Sequence, residues 1–266
     1  MTLESALAEM EMRTQAAGAS AKKLSKAILS ARRASTGGDI AAMKKALADA
    51  RDMLRVVEVE FADAVTAWPF DEEQEQDYFE SGHFTRELLA AAGEIELAIS
   101  EEDGRLMCYP SVIRVDPGRR LVTVDKKPHR AVRPSVLAAH LRAQQTKTVR
   151  FKAGPFLEAL YAAWKYARHA DGKGKGPLRD VPVDRIYAVL TVAPGSGKEY
   201  SRQEFGRDLF LLESSGERRT RKEAEIHFSR STGTKGGRGV ITIVREDGKR
   251  VLYSSISFQE AAANGS

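Results

Sequence analysis

Three stretches of this 266-residue chain hold residue types whose spacing could do chemistry. In the first, Asp116 precedes Asp125-Lys126-Lys127, two carboxylates and a lysine of the kind that hold magnesium beside a phosphodiester. Asp116-Pro117-Gly118-Arg119 is also a tight-turn signal, however. That turn sends Asp125 to the far end of the return strand, about 20 Å off at ~3.3 Å per residue. Carboxylates so far apart cannot share an ion whose ligand distances are about 2 Å, so the pattern predicts no metal site.

The second stretch, Ala193-Pro194-Gly195-Ser196-Gly197-Lys198-Glu199, ends like a glycine loop that cradles phosphate. Such a loop needs glycine at 192 and a hydroxyl at 199 for magnesium, and Val192 and Glu199 stand there instead. A glycine-rich helix connection is expected. The third feature is cationic. Lys173 and Lys175 lie in a glycine-rich run, Lys235 and Arg238 in another, and Arg218, Arg219, Arg221 and Lys222 sit close together. Small glycines let such cations and nearby amides approach a phosphate backbone.

The remaining reactive types carry no pattern. Histidines 83, 129, 140, 169 and 227 show no metal-ligand or nucleophile spacing, and no serine sits in a Gly-x-Ser-x-Gly turn. Cys108, the single cysteine, excludes an internal disulfide and suits a reducing, cytoplasmic setting. No apolar run reaches the ~20 residues that span a bilayer, so no membrane contact is expected.

Charge is partitioned along the chain. Residues 1–70 carry 10 basic and 9 acidic side chains, residues 71–103 one basic and 12 acidic, and residues 104–266 carry 31 basic and 16 acidic. An acidic joint therefore separates a neutral arm from a basic body, and a polyanion should meet the body.

The elements that position these residues are read from periodicity. Leu3, Leu7, Met10, Thr14, Ala17, Ala21, Leu24, Ile28 and Ala31 recur at steps of four and three, as do Met43, Leu47, Ala50, Leu54, Val57, Phe61, Ala64 and Trp68. Both are coiled-coil seams, and Ser35-Thr36-Gly37-Gly38-Asp39 between them turns the chain back. Pro69 ends the second helix. Residues 1–69 are thus an antiparallel helical hairpin whose alanine-rich seam buries little area, suited to dock a partner protein or a second copy.

Residues 70–93 read as an acidic linker with a short helix through Phe84, Leu88 and Leu89. Residues 94–170 read as a three-stranded meander, beginning with Ile95, Leu97 and Ile99, followed by helices near 135–145 and 155–169. Residues 171–266 read as a basic domain. Asp184 caps one helix there, Ser201-Arg202-Gln203-Glu204 opens another as a capping box, and strands follow near 224–229, 240–245 and 250–258. Helices followed by a hairpin describe a winged-helix-like module, with Phe205, Leu209 and Leu212 inward and Arg202, Gln203 and Arg207 left for a ligand.

The expectation is an α+β, non-enzymatic accessory subunit of a multi-protein bacterial assembly, without cofactor or metal. It holds DNA or RNA through Lys173, Lys175, Lys198, Arg202, Gln203, Arg207, Arg218, Arg219, Arg221, Lys222, Lys235 and Arg238 while the arm docks elsewhere. The alternatives are an adaptor that makes protein contacts only, or a magnesium-dependent nuclease or nucleotide-binding protein.

Overall fold

The protein is described by a computed structural model covering residues 1–102, 104–147, 149–169, 178–230, 239–245 and 247–260. Its Cα positions form two compact units: residues 1–88 with 117–120 and 131–137, and residues 89–116 with 121–130 and 138–266. The fold is α+β, with a long N-terminal helical hairpin, a five-stranded antiparallel meander and a mixed C-terminal body. Among the described residues no helix is long and apolar enough to cross a membrane.

In the first unit, α1 (Leu3–Gly37) and α2 (Ile40–Thr66) make the hairpin. Gly38 takes the left-handed φ of 76° that closes α1, and Asp39 caps α2 by accepting from the Ala42 amide at 2.9 Å. The expected seam is met at Leu3, Leu7, Met10, Ala17, Leu24 and Ala31 of α1 and at Met43, Ala50, Val57, Ala64 and Trp68 after it, but the alternate positions are shifted by one residue. Buried or half-buried residues recur at Ala17, Ser20, Leu24, Ala27, Ala31 and Ala34, and at Met43, Ala46, Ala50, Met53, Val57, Glu60 and Ala64. Ile28, Leu47, Leu54 and Phe61, expected inside, are exposed. Small residues let the backbones approach closely, and the larger ones turn outward.

The base of the hairpin is tied down by polar contacts. The Leu3 and Glu4 amides each donate to the Glu87 carboxylate at 3.0 Å, placing a negative charge at the positive end of α1. Arg133 bridges Glu4 and Glu11 at 2.6 Å each. The acidic run, expected as a linker, forms α3 (Glu72–Glu80), which is capped by Asp71 and buries Phe79. Glu75 receives the Trp68 indole and pairs with Arg120, both at 2.8 Å. Helix α4 (His83–Glu94) follows.

In the second unit the meander runs β1 (Ser100–Glu102), β2 (Arg105–Cys108), β3 (Ser111–Asp116), β4 (Leu121–Val124) and β5 (Lys127–His129), each pairing with the next. This corrects the three-strand expectation at two places. Residues 95–99 alternate in hydrophobicity but form no strand, because the Leu97 amide bonds back to the Ala92 carbonyl and Glu96 takes a left-handed φ of 54°. The stretch 105–115 folds back at Tyr109-Pro110, pairing Cys108 with Ser111. Asp125 and Lys126, with φ of 48° and 67°, make a two-residue turn between Val124 and Lys127.

Helices α5 (Pro134–Gln145) and α6 (Ala153–Ala167) precede the C-terminal elements. These are β6 (Val181–Pro182), α7 (Val183–Leu190), α8 (Ser196–Glu199), α9 (Arg202–Ser215), β7 (Glu225–Arg230), β8 (Ile241–Val244) and β9 (Arg250–Gln259). The sheet order is β6-β9-β7, with β8 also on β9. Tyr253 pairs with both Arg230 and Ile241, so β7 and β8 flank β9 on opposite edges.

One apolar core joins Leu157, Leu160 and Trp164 of α6 and Ile186 of α7 to Phe205, Leu209 and Leu212 of α9, over Ile226, Ile243, Tyr253 and Ile256 of the strands. Gly206 is required where α9 crosses β8, because a Cβ there would lie 2.8 Å from Ile241 Cγ2. Asp184 does not cap α7 as expected. Pro182 occupies that position, and Asp184 turns to Arg202.

Candidate nucleic-acid interface

Helix α9 starts and stops where its sequence dictates. Ser201 and Glu204 form the capping box, and Gly216 closes the helix at a left-handed φ of 76°. Its inward face also agrees with expectation, but its outward face is not open. Within the second unit the meander packs over it.

The cover is polar and specific. Glu204 receives Lys126 Nζ at 3.2 Å, with Arg105 at 3.9 Å. Arg207 bonds Asp208 at 2.9 Å and reaches Asp125 of the β4–β5 turn at 3.3 Å. The Tyr200 hydroxyl donates to Asp208 at 2.9 Å, and Tyr109 stands edge-on to Phe210 at 5.2 Å. Three of the residues expected to face a ligand are therefore engaged. Gln203 is 5% exposed, Arg207 is part of this network, and Arg202 pairs with Asp184 at 2.6 Å. A helix so covered cannot enter a DNA groove.

A cleft of about 480 Å³ remains, lined by Arg105, Arg114 and Lys126 against Asp125, Glu199 and Glu204. Its charges balance, so it does not single out an anion. Asp125 lies beside Val112 and Asp116 pairs with Leu121, four positions farther along β3, so the two carboxylates do not converge. No group of three or more His, Cys, Asp or Glu side chains able to hold a metal occurs among the described residues. The glycine-rich stretch at 193–199 forms the four-residue α8, entered through a left-handed Gly195.

Burial alone would raise the Glu204 carboxyl, but the Ser201 amide and the Lys126 ammonium more than offset it and hold the group below its usual 4.5. Asp208 goes the other way, pushed up by burial despite Arg207 and Tyr200. A depressed carboxyl stabilises the fold above its unfolded value and loses that contribution as pH falls through its folded value. Replacing Glu204 by Gln is therefore expected to lower the melting temperature at neutral pH and to flatten the decline between about pH 6 and pH 3, measured by calorimetry. Parallel pH profiles for the two proteins would contradict this.

Of the cations expected to meet a ligand, the described and accessible ones lie elsewhere, in the connection from α9 to β7. Thr220 closes a short turn, its amide donating to the Ala224 carbonyl at 3.0 Å and its hydroxyl accepting from the Ala224 amide at 3.0 Å. Arg221 and Lys222 occupy the tip, and Glu223 supplies the left-handed φ of 59°. The Arg221 amide is anchored on Glu158 at 2.7 Å. Arg219 is drawn to Glu223 and Glu225 at 3.5 Å each. Arg218, Arg221 and Lys222 are exposed, and no described acidic side chain lies within ion-pair distance of theirs.

Lys173, Lys175, Lys235 and Arg238 lie outside the described residues, as does the side chain of Lys198. Sequence reasoning missed the partners of α9, because Arg105, Tyr109, Asp125 and Lys126 come some 80 to 100 positions earlier and carry no local signal. It also missed that the His129 and His140 rings meet at 4.4 Å, tilted by 31°, where burial and the neighbouring ring hold His140 below its usual value. Compared with protein-family models, curated proteins and solved structures, the chain matches none.

Proposed function

We propose that residues 153–260 form a winged-helix-type module that binds the phosphate backbone of DNA or RNA without reading sequence, as a non-catalytic accessory subunit. The order α6, β6, α7, α8, α9, β7, β8, β9, with β9 central between β7 on one edge and β6 and β8 on the other, supports the winged-helix reading. The observation that carries the function is the ordered turn presenting Arg218, Arg221 and Lys222 without described acidic partners, in a module of 19 basic and 14 acidic residues that follows the strongly basic stretch 104–152. The covered α9 face supports the second half of the statement. With α9 kept from base edges, the contacts left to the exposed turn are to phosphate, and these carry affinity but no sequence information.

Two duplexes of unrelated sequence and equal length should therefore bind the full chain with the same affinity in fluorescence anisotropy. A tenfold preference for one, or no binding to either, overturns the proposal.

A further inference from the structure

The outward stripe of the hairpin is too regular to be scattered surface apolarity. Ile40, Leu47, Leu54 and Phe61 repeat every seven residues along α2, with 64%, 53%, 46% and 63% of their surface exposed. A sustained seven-residue repeat is the mark of a helix seam, and the α1–α2 seam already uses other positions. On α1 the matching place is Ile28, 53% exposed. Ile28, Leu47, Leu54 and Phe61 each follow a seam residue by one: Ala27, Ala46, Met53 and Glu60. Antiparallel neighbours are related by a two-fold axis normal to the plane of the pair, so equivalent positions share one side. Both helices thus contribute to a single apolar face, of the kind that marks an interaction surface.

The charges of the hairpin indicate what covers that face. Residues 22–55, the tip, carry nine basic and three acidic side chains, whereas residues 1–21 and 56–70, the base, carry one basic and six acidic. Arg133 already engages Glu4 and Glu11, Arg13 pairs with Glu9, and Glu60 lies in the α1–α2 seam, which leaves Glu58 and Asp63 on α2. A surface that is apolar along its length, positive at one end and negative at the other complements itself when one copy is reversed. Parallel stacking would set tip against tip and oppose like charges.

We propose that the hairpin is a dimerisation arm, its α2 stripe packing antiparallel on the same stripe of a second copy to complete a four-helix bundle. The two-fold axis sets Leu47 against Leu54 and Ile40 against Phe61 of the second copy, since the four positions are symmetric about the middle of the stripe. Such an isologous contact closes and adds no further copies. The bundle also supplies the apolar area that an alanine seam lacks. This inference does not rest on the nucleic-acid reading.

The test uses the full chain. Light scattering after size exclusion should give twice 29.2 kDa, and Leu54→Glu should give 29.2 kDa with unchanged helical circular dichroism. A wild-type monomer at tens of micromolar overturns the proposal. The register is read by oxidation of a Leu47→Cys/Leu54→Cys variant. With Cys108 replaced by Ser, and since seven residues of helix span about 10.5 Å, beyond the roughly 7 Å reach of a disulfide, any cross-link joins two copies. The double variant should form covalent dimer while each single variant forms at least tenfold less. Single variants that cross-link as well as the double one mean a parallel pair and overturn the antiparallel proposal.

Discussion

Replacing Arg207 by Met is expected to destabilise the second unit by roughly 3 kcal/mol, in the range for removing one member of a buried ion pair. The side chains of Arg207 and Asp208 are 19% and 15% exposed, so Asp208 depends on Arg207 for its counter-charge, while Arg207 has Asp125 as well. Methionine would leave the Asp208 carboxylate with the Tyr200 hydroxyl and no cation. Burial already pushes that carboxyl up, and the loss of Arg207 would push it further. The Arg207→Met/Asp208→Asn pair should recover more than half of the loss, because no charge is then stranded. Both variants are measured by urea denaturation. A stable Arg207→Met protein that no longer binds nucleic acid would restore Arg207 as a ligand-facing residue and contradict the covered-helix account.

The converse result is expected at the turn. Changing Arg218, Arg221 and Lys222 together to Ala should leave stability within about 0.5 kcal/mol, since their side chains are exposed. Binding should weaken at every sequence alike. Each lost phosphate contact lowers the slope of log affinity against log salt by about 0.9 in magnitude, so the triple variant should lose about 2 to 3. Thr220, buried beneath the tip, is left intact so that the turn keeps its shape. Unchanged affinity would move the interface away from this turn.

How much of this could be read from the sequence depends on how local the cause is. The ends of the helices were legible, because Gly38 with Asp39, Ser201 with Glu204, and Gly216 act through bonds within a turn of helix. The three C-terminal strands were legible from their alternation, which is also a local signal. Half of the hairpin seam, at Met43, Ala50, Val57 and Ala64, was legible too, and the other half was not. Two stripes with the same seven-residue repeat run side by side on α2, and size favours the one with Leu47, Leu54 and Phe61. Ala46, Met53 and Glu60 face α1 instead, because the close approach of the backbones at the seam alanines leaves no room for the bulkier stripe. The outward face of α9 was illegible for another reason. Whether Arg207 meets water or Asp125 is decided by a turn 82 residues earlier, and no spacing around Arg207 encodes it.

The central claim, that this chain grips nucleic acid by its phosphates, is tested most directly by a salt titration of the full chain on one labelled duplex. Binding that is tight near 50 mM salt should weaken in proportion to a power of the salt concentration, as bound counterions are released. A complex whose affinity is indifferent to salt, or no complex at the lowest salt, would contradict the account.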